Sequence, residues 1–224
     1  MRTTKLTDNL IQLTRQGWVN AYLVREDDGY TLIDTMLGGG ADGLIAAAEA
    51  GGGEIKRIAL THGHGDHVGS LDALRRRLGD SVQVAMGELD ARIHAGETPV
   101  PGKRRGSWPK LTTTPDLMLT GGELLGSLQV LASPGHSPGH VAFLDTRDRS
   151  LVAGDAFTAF GAVAVPSHFY WRFPLAAGAT WDRPQAVESA RTLRALEPSL
   201  LVVGHGPATR EPGAAIDAAI ARAS

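Results

Sequence analysis

Short apolar runs bounded by glycine, proline and aspartate recur along this chain and alternate with segments of helical periodicity. Runs of this kind are typical of β-strands. The predicted strands are Leu10 to Leu13, Trp18 to Val24, Tyr30 to Asp34, Ile55 to Leu60, Val82 to Met86, Leu124 to Ala132, Val141 to Asp145, Ser150 to Ala153 and Leu200 to Val203. Tight turns separate the first three runs, which indicates an antiparallel meander.

Helical segments are interspersed among the later strands. They are predicted over Asp42 to Ala50, Val68 to Leu78, Glu88 to His94, Trp181 to Leu196 and Pro212 to Arg222. His94 stands alone on its helix and is predicted to be a surface residue. Residues 96–115 and 159–180 follow neither period, and each is open to interpretation as a lid, a pocket wall or an interface. The first stretch is also open to interpretation as a disordered loop without function.

Length and charge exclude several classes of protein. The 224 residues are predicted to form a single domain, residues 1–224. The formal net charge of −2 gives no reason to expect a nucleic-acid partner. No apolar run is long enough to span a membrane and the first residues do not resemble a signal peptide, so a cytoplasmic location is expected. The absence of cysteine removes disulfides and thiolate ligands.

The densest chemical signal follows the fourth predicted strand and has the form H-x-H-x-D-H. It comprises His62, His64, Asp66 and His67. Alternate residues of an extended segment point the same way, so His62 and His64 can bind one ion. Asp66 and His67 follow the bend at Gly65 and can face a second ion. Imidazole nitrogen and carboxylate oxygen are ligands that zinc and similar metals prefer, so a solvated turn is the weaker interpretation.

Four predicted strands end alike, with a small or turn residue followed by a side chain that can bind metal. These side chains are His62, His136, Asp155 and His205. In layered α/β proteins, ligands gather where the loops at strand ends converge. If the four ends share one rim, five imidazoles and two carboxylates meet there, which is too many for one tetrahedral ion and suits two. Asp155 is the natural bridge because a carboxylate has two oxygens.

These motifs resemble those of the metallo-β-lactamase superfamily. Residues 62–67 resemble its H-x-H-x-D-H signature, and residues 133–140 (SPGHSPGH) resemble its T-P-G-H-T-x-G-H segment. Gly154-Asp155 and Gly204-His205 resemble its remaining ligand positions. The resemblance implies an α/β (α+β) fold, a four-layer αββα sandwich in which two mixed β-sheets are flanked by helices. It also implies two divalent metal ions, expected to be Zn²⁺, with iron or manganese as alternatives.

The resemblance further implies a ligand set. One ion is expected to take His62, His64 and His136, the other Asp66, His67 and His205, with Asp155 bridging them. The second histidine of residues 133–140, His140, is expected to have a structural hydrogen-bonding role.

Departures from the family patterns narrow the expected activity. Asp155 stands where the antibiotic-hydrolysing members carry Cys or Ser, so β-lactamase is not expected as the physiological activity. Thr158 stands near the position where quorum-signal lactonases carry a Tyr, and the glutathione-binding Lys/Arg pattern of glyoxalase II is not evident.

The expected reaction is hydrolysis of an ester, thioester, lactone or related acyl bond. A hydroxide held between two ions would attack, and Asp66 would act as the catalytic residue that orients it and relays its proton. Two alternatives stay open. One is an oxidoreductase with a single iron, like the persulfide dioxygenases of the superfamily, and the other is a non-catalytic metal-binding scaffold.

The second irregular stretch carries the expected substrate contacts. Seven of the twelve aromatic residues lie between residues 157 and 181. This clustering favours an apolar pocket wall for a small-molecule substrate with an apolar part, and His168, Tyr170 and Trp171 are predicted to contact it. The competing interpretations are a homodimer interface or a small separate core.

Two further features have open interpretations. The basic run from Lys103 to Arg105 can attract an acidic substrate, but solvated loop charge is the favoured interpretation. Asp34 is equally compatible with a place near the metals and with a cap before the glycines at positions 38–40.

Overall fold

The computed structural model describes residues 1–223. Within this range the strands are β1 (Arg2–Lys5), β2 (Leu10–Arg15), β3 (Val19–Glu26), β4 (Gly29–Ile33), β5 (Ile55–Leu60), β6 (Gln83–Gly87), β7 (Leu117–Leu119), β8 (Leu124–Leu125), β9 (Leu128–Ala132), β10 (Val141–Asp145), β11 (Ser150–Val152), β12 (Leu200–Val202) and β13 (Thr209–Arg210). The helices are α1 (Ala41–Ala50), α2 (Gly65–Val68), α3 (Leu71–Leu78), α4 (Glu88–His94), α5 (Leu175–Ala179), α6 (Arg183–Ala195) and α7 (Gly213–Ala223), and a 3₁₀ turn spans Gly154–Ala156.

The strands form two mixed sheets. The first has the order β1-β2-β3-β4-β5-β6-β7, and the second has the order β13-β12-β11-β10-β9-β8. Strands β1 to β4 pair antiparallel through short turns, whereas β4 to β7 pair parallel because helical crossovers separate them. In the second sheet only β11 and β12 pair parallel, and α6 lies in the connection between them.

Three apolar cores separate four layers. The first lies between the first sheet and α1 and α3, the second lies between the two sheets, and the third lies between the second sheet and α6 and α7. Strand β3 shows how the sequence produces this arrangement. Leu23 packs in the first core, while its neighbours Tyr22 and Val24 pack in the core between the sheets, because successive strand residues point to opposite faces. The predicted αββα sandwich is confirmed.

The predicted helix Val68 to Leu78 is wrong at its start, because Gly69 and Ser70 interrupt it. A Cβ atom at Gly69 would lie 2.6 Å from Gly38 N and from Gly65 O, so the backbone here packs too closely for any other residue. Ser70 Oγ donates a hydrogen bond to Leu37 O at 2.7 Å. The chain between α2 and α3 is therefore attached to the loop after β4.

The predicted strand Leu124 to Ala132 is two strands joined by a tight turn. Gly126 has a φ of 61°, and Ser127 N donates to the Glu26 carboxylate at 3.1 Å. Strands β1, β7 and β13 and helix α5 were not predicted, because each is short and has no clear apolar period. No helix within residues 1–223 combines the length and the apolar character needed to cross a bilayer.

Candidate metal centre

Four strand ends meet at one edge of the sandwich. Strand β5 leads into residues 62–67, and the segments after β9, β11 and β12 carry His136, Asp155 and His205. Strands β9 and β11 both pair antiparallel with β10, and β12 pairs parallel with β11, so all three end on the same side of the second sheet. The predicted convergence of the strand ends is confirmed.

The seven side chains form three overlapping groups, in each of which the ligand atoms lie within 4.8 Å of one another. The groups are His62–His64–His136, His62–His67–Asp155 and Asp66–His67–His205. Asp155 is central to them. Its Oδ2 lies 3.4 Å from His136 Nε2 and 3.3 Å from His205 Nε2, and its Oδ1 lies 3.5 Å from His67 Nε2. Both expected trios therefore occur, with Asp155 between them.

Each of the five imidazoles is oriented by a contact that one of its ring nitrogens makes outside the cluster. His67 Nδ1 donates to Asp34 at 2.8 Å, His205 Nδ1 donates to Trp18 O at 3.1 Å, and His64 Nε2 donates to Arg105 O at 3.1 Å. Because carboxylates and carbonyls only accept hydrogen bonds, these nitrogens carry the proton. The other nitrogen of each ring is directed into the cluster, where a metal ligand would have to lie.

The other two imidazoles are oriented by hydroxyl groups. His136 Nδ1 lies 3.0 Å from Thr180 Oγ1, and that hydroxyl donates its own proton to Pro166 O at 2.7 Å. His62 Nδ1 lies 3.1 Å from Thr61 Oγ1, whose proton goes to Asp34 at 2.8 Å. Both hydroxyls are therefore acceptors toward the imidazoles, and His62 and His136 also direct a lone pair into the cluster.

His140 has no nitrogen left for a metal. Its Nδ1 donates to Ser133 Oγ at 2.8 Å, and its Nε2 accepts from the backbone N–H of Asp155 at 3.1 Å. The expected structural role of His140 is confirmed, and it positions the loop that carries Asp155.

Asp34 is a neighbour of the cluster and not a cap. In addition to His67, its carboxylate accepts hydrogen bonds from the backbone N–H of Thr61 at 2.8 Å and from the Thr61 hydroxyl. Asp34 has a φ of 62°, which is uncommon for a residue with a side chain. The surrounding hydrogen bonds stabilise this conformation and place the carboxylate behind two of the imidazoles.

Asp90, on α4, joins the two loops that carry the first trio. Its buried carboxylate accepts from Gly63 N at 2.9 Å, from Ser137 Oγ at 2.5 Å and from Gly139 N at 2.7 Å. Burial raises the pKa of Asp90 to about 6, against the effect of these three hydrogen bonds. Sequence reasoning missed this residue, because nothing near it in the chain indicates partners 27 and 49 positions away.

The prediction that His94 is a surface residue is wrong. The side chain is half-buried, with its Nε2 2.9 Å from Gly63 O and its Nδ1 3.1 Å from Pro109 O. It lies between residues 62–64 and the first irregular stretch, so it supports the loop of the first trio from the outside.

The two trios differ in their electrostatics. Burial lowers the pKa of His64 to about 4 and holds those of His62 and His136 well below the usual range, so this trio presents neutral imidazoles at pH 7. In the second trio burial opposes the shift, but neighbouring carboxylates raise the pKa of His67 to about 9 and that of His205 to about 10. These carboxylates attract positive charge, which a divalent cation would supply.

The donor atoms at the centre of the cluster fit metal ions. His62 Nε2, His67 Nε2 and Asp155 Oδ1 are buried and have no hydrogen-bond partner within residues 1–223. An unpaired buried polar atom is costly, so three of them at one place need an explanation. The buried His and Asp groups are consistent with a dinuclear metal site, in which these atoms would be ligands.

The cluster opens into a small cleft of about 90 Å³, which Asp66, Asp155 and His205 line. Trp18 and Phe173 form an apolar wall, with ring centroids 5.3 Å and 4.7 Å from that of His205. Residues 106–107 of the first irregular stretch also line the cleft. This stretch is attached to the cluster, since Gly65 N donates to Ser107 O at 2.9 Å.

The residues predicted to contact the substrate, His168, Tyr170 and Trp171, are not among those that line the cleft. The Tyr170 hydroxyl donates to Phe160 O at 2.8 Å, and the Trp171 side chain is 68% exposed. Phe173 and Leu175, from the same stretch, line the cleft, and Leu175 is the first residue of α5.

Comparison with known proteins places these observations in a family. The family model described as "Metallo-beta-lactamase superfamily" matches residues 15–205. The chain is 43% identical over 211 residues to YobT of Bacillus subtilis (strain 168), an uncharacterized protein, with 92% of this chain and 90% of that protein covered. It is 28% identical to the probable metallo-hydrolase YybB of the same organism, covering 84% of this chain and 80% of that protein.

A solved structure supports the same conclusion. The crystal structure of TTHA1623 in a di-iron-bound form matches with a TM-score of 0.65 and 30% sequence identity, over 89% of this chain and 93% of that one. The chain therefore belongs to the metallo-β-lactamase superfamily. Its relatives and its His/Asp cluster make it a probable metallo-hydrolase.

Proposed function

We propose that this protein is a dinuclear-metal hydrolase that cleaves an ester, thioester, lactone or related acyl bond in a small molecule. The observation that carries the proposal is the set of donor atoms: Asp155 lies between two trios, and each of the five imidazoles is oriented by a separate partner. Such an arrangement would not stabilise the fold by itself, because burying nitrogen and oxygen atoms without hydrogen-bond partners costs free energy.

One cation would be held by His62, His64 and His136. The other would be held by Asp66, His67 and His205. Asp155 would contact both cations. A pair of divalent cations lowers the pKa of a water molecule toward 7 and polarises the carbonyl of a substrate. Zinc is the proposed metal because imidazole and carboxylate suit it. The di-iron form of TTHA1623 makes iron the second candidate.

Asp66 is proposed to be the catalytic residue. Its side chain is 26% exposed and lines the cleft, with its Oδ2 3.2 Å from His205 Nε2. Burial opposes the shift, but the hydrogen bond from His205 and the charge of His67 lower the pKa of Asp66 to about 2. The ionised carboxylate can accept a proton from an attacking water molecule and return it to the leaving group.

The test is hydrolysis by metal-free protein reconstituted separately with Zn²⁺ and with Fe²⁺. The acyl substrates are 4-nitrophenyl butyrate, S-phenyl thioacetate and γ-butyrolactone. Oxygen uptake is measured in parallel with glutathione persulfide as the oxidisable substrate. We expect turnover of at least one acyl substrate that requires added metal and stops on chelation. Oxygen consumption with one iron per chain and no hydrolysis would instead indicate a dioxygenase, and metal binding without either reaction would indicate a scaffold.

A further inference from the structure

A second cavity, of about 210 Å³, lies beside the metal cleft. His136 lines both, so the two spaces share a wall at the first trio. We call this space the side cavity, and its apolar lining is formed by Ile93, Pro99, Val100, Trp108, Pro138 and Trp181. It is larger than the cleft and has room for part of a substrate whose reacting group lies at the metal trios.

The side cavity has a local excess of positive charge. Lys103, Arg104 and Arg105 line it, and none of their side chains takes part in a hydrogen bond or ion pair within residues 1–223. Glu97 is the acidic residue of the lining, and its carboxylate is paired with Arg92 at 2.8 Å. Three cations are thus left without counter-charges in a chain whose formal net charge is −2.

The basic segment is attached to the candidate ligands. Arg105 O accepts hydrogen bonds from His64 Nε2 at 3.1 Å and from Trp108 Nε1 at 2.7 Å. The Trp108 ring packs edge-on against His64, with ring centroids 5.1 Å apart. Through these contacts the backbone of the exposed segment is attached to a buried imidazole. The three cations are therefore held next to the place where a substrate would react.

We propose that the side cavity binds an anionic group of the substrate, so that the natural substrate is an acyl compound with a carboxylate or phosphate and an apolar segment beside it. This inference rests on the proposed hydrolase function and narrows its substrate class. The indole rings of Trp108 and Trp181 would pack against the apolar segment, and Lys103, Arg104 and Arg105 would pair with the anion.

The kinetic test compares two esters of similar length, the anionic mono-(4-nitrophenyl) glutarate and the neutral 4-nitrophenyl butyrate. The test variant carries Lys103→Gln, Arg104→Gln and Arg105→Gln. The matched control carries Arg2→Gln, Arg76→Gln and Lys110→Gln, which remove the same charge from exposed positions outside the lining. We expect the anionic-to-neutral ratio of kcat/KM to fall about tenfold in the test variant, since each exposed pair contributes modestly, and to stay unchanged in the control.

The binding test does not require catalysis. Trp108 and Trp181 line the side cavity, so the tryptophan fluorescence of metal-free protein can report its occupancy. We expect 4-phenylbutyrate to bind more tightly than the neutral 4-phenylbutanamide, and the preference to be lost in the test variant and weakened by salt. A third ligand, 3-phenylpropyl phosphate, is titrated in the same way. Its affinity relative to that of 4-phenylbutyrate shows whether phosphate or carboxylate is the preferred anion.

The two tests separate the inference from the function on which it rests. If no ester is hydrolysed but the anion preference in binding depends on residues 103–105, the proposed function fails and the anion site stands. If hydrolysis requires metal but neither the kinetic ratio nor the binding preference differs between wild type and the test variant, the anion site is overturned and the proposed function stands.

Discussion

Asp34 accepts a hydrogen bond of 2.8 Å from Nδ1 of His67, and both side chains are buried. The carboxylate fixes the tautomer and the rotation of the imidazole, so that Nε2 points into the cluster. Sequence distance conceals this pair, since 33 positions separate the two residues. Partners of this kind orient metal ligands and typically contribute to metal affinity.

Replacement of Asp34 by Asn is expected to weaken metal binding roughly 10- to 100-fold, because the amide stabilises the imidazole orientation less well. Competition with a chromophoric chelator measures the affinity. Asp145→Asn is the matched control, since Asp145 is equally buried but pairs with Arg147 away from the cluster. Equal affinities of the Asp34 variant and wild type would show that the hydrogen bond has no role in metal binding.

Asp90→Asn is expected to lower the free energy of unfolding by about 3 kcal/mol, because a buried amide cannot accept from all three donors. The amide nitrogen of the new side chain would replace one carboxylate oxygen. It would then face either the donor Gly139 N–H or the two donors Gly63 N–H and Ser137 Oγ, and could accept a hydrogen bond from none of them. Denaturant unfolding of the metal-free protein measures the loss. Ser137→Ala should give a smaller loss, and Glu88→Gln on the same helix should give almost none. A stability loss no larger for Asp90→Asn than for Glu88→Gln would refute the role of Asp90 in joining the two loops.

Gly204→Ala is expected to abolish metal binding at the second trio. A Cβ atom there would lie 2.2 Å from Asp155 Oδ1 and 2.5 Å from His67 Cε1, so both side chains would have to move. Gly178→Ala is the control, because a Cβ atom at Gly178 has open space around it. Metal content measured by elemental analysis should fall in the first variant only. Full metal content in Gly204→Ala would mean that Asp155 and His67 are not ligands.

Asp66→Ala is expected to lower kcat by roughly 10²- to 10⁴-fold, the usual contribution of a positioned acid–base group. Truncation also removes the interaction with His205, so the metal-free variant should lose some stability but remain folded. Steady-state kinetics and unfolding curves measure the two quantities, with the fully exposed Asp80→Ala as the control. Near-normal turnover would reject Asp66 as the catalytic residue.

Much of the fold and of the cluster could be predicted from sequence, because the relevant signals are local. His62, His64, Asp66 and His67 lie within six positions, and Asp155 directly follows the glycine at the end of its apolar run. The partners that orient the imidazoles could not be predicted in the same way. Several are backbone carbonyls, such as Trp18 O and Arg105 O, and a carbonyl leaves no trace in residue identity.

The substrate region was predicted less well for a related reason. Composition identifies an aromatic segment but not which of its side chains points toward the cluster. Phe173 lines the cleft, whereas Trp171 is exposed. The charges at positions 103–105 are exposed, as the favoured interpretation of the sequence expected, and only the fold shows that they also line a cavity beside His136.

The most direct test of the central claim is a titration of metal-free protein with Zn²⁺ in which bound metal per chain and the rate of acyl hydrolysis are measured on the same samples. Because Asp155 lies between two trios, we expect the hydrolysis rate to rise with metal occupancy and to reach its maximum when two ions are bound per chain. A full hydrolysis rate in protein from which all metal has been removed would contradict the account.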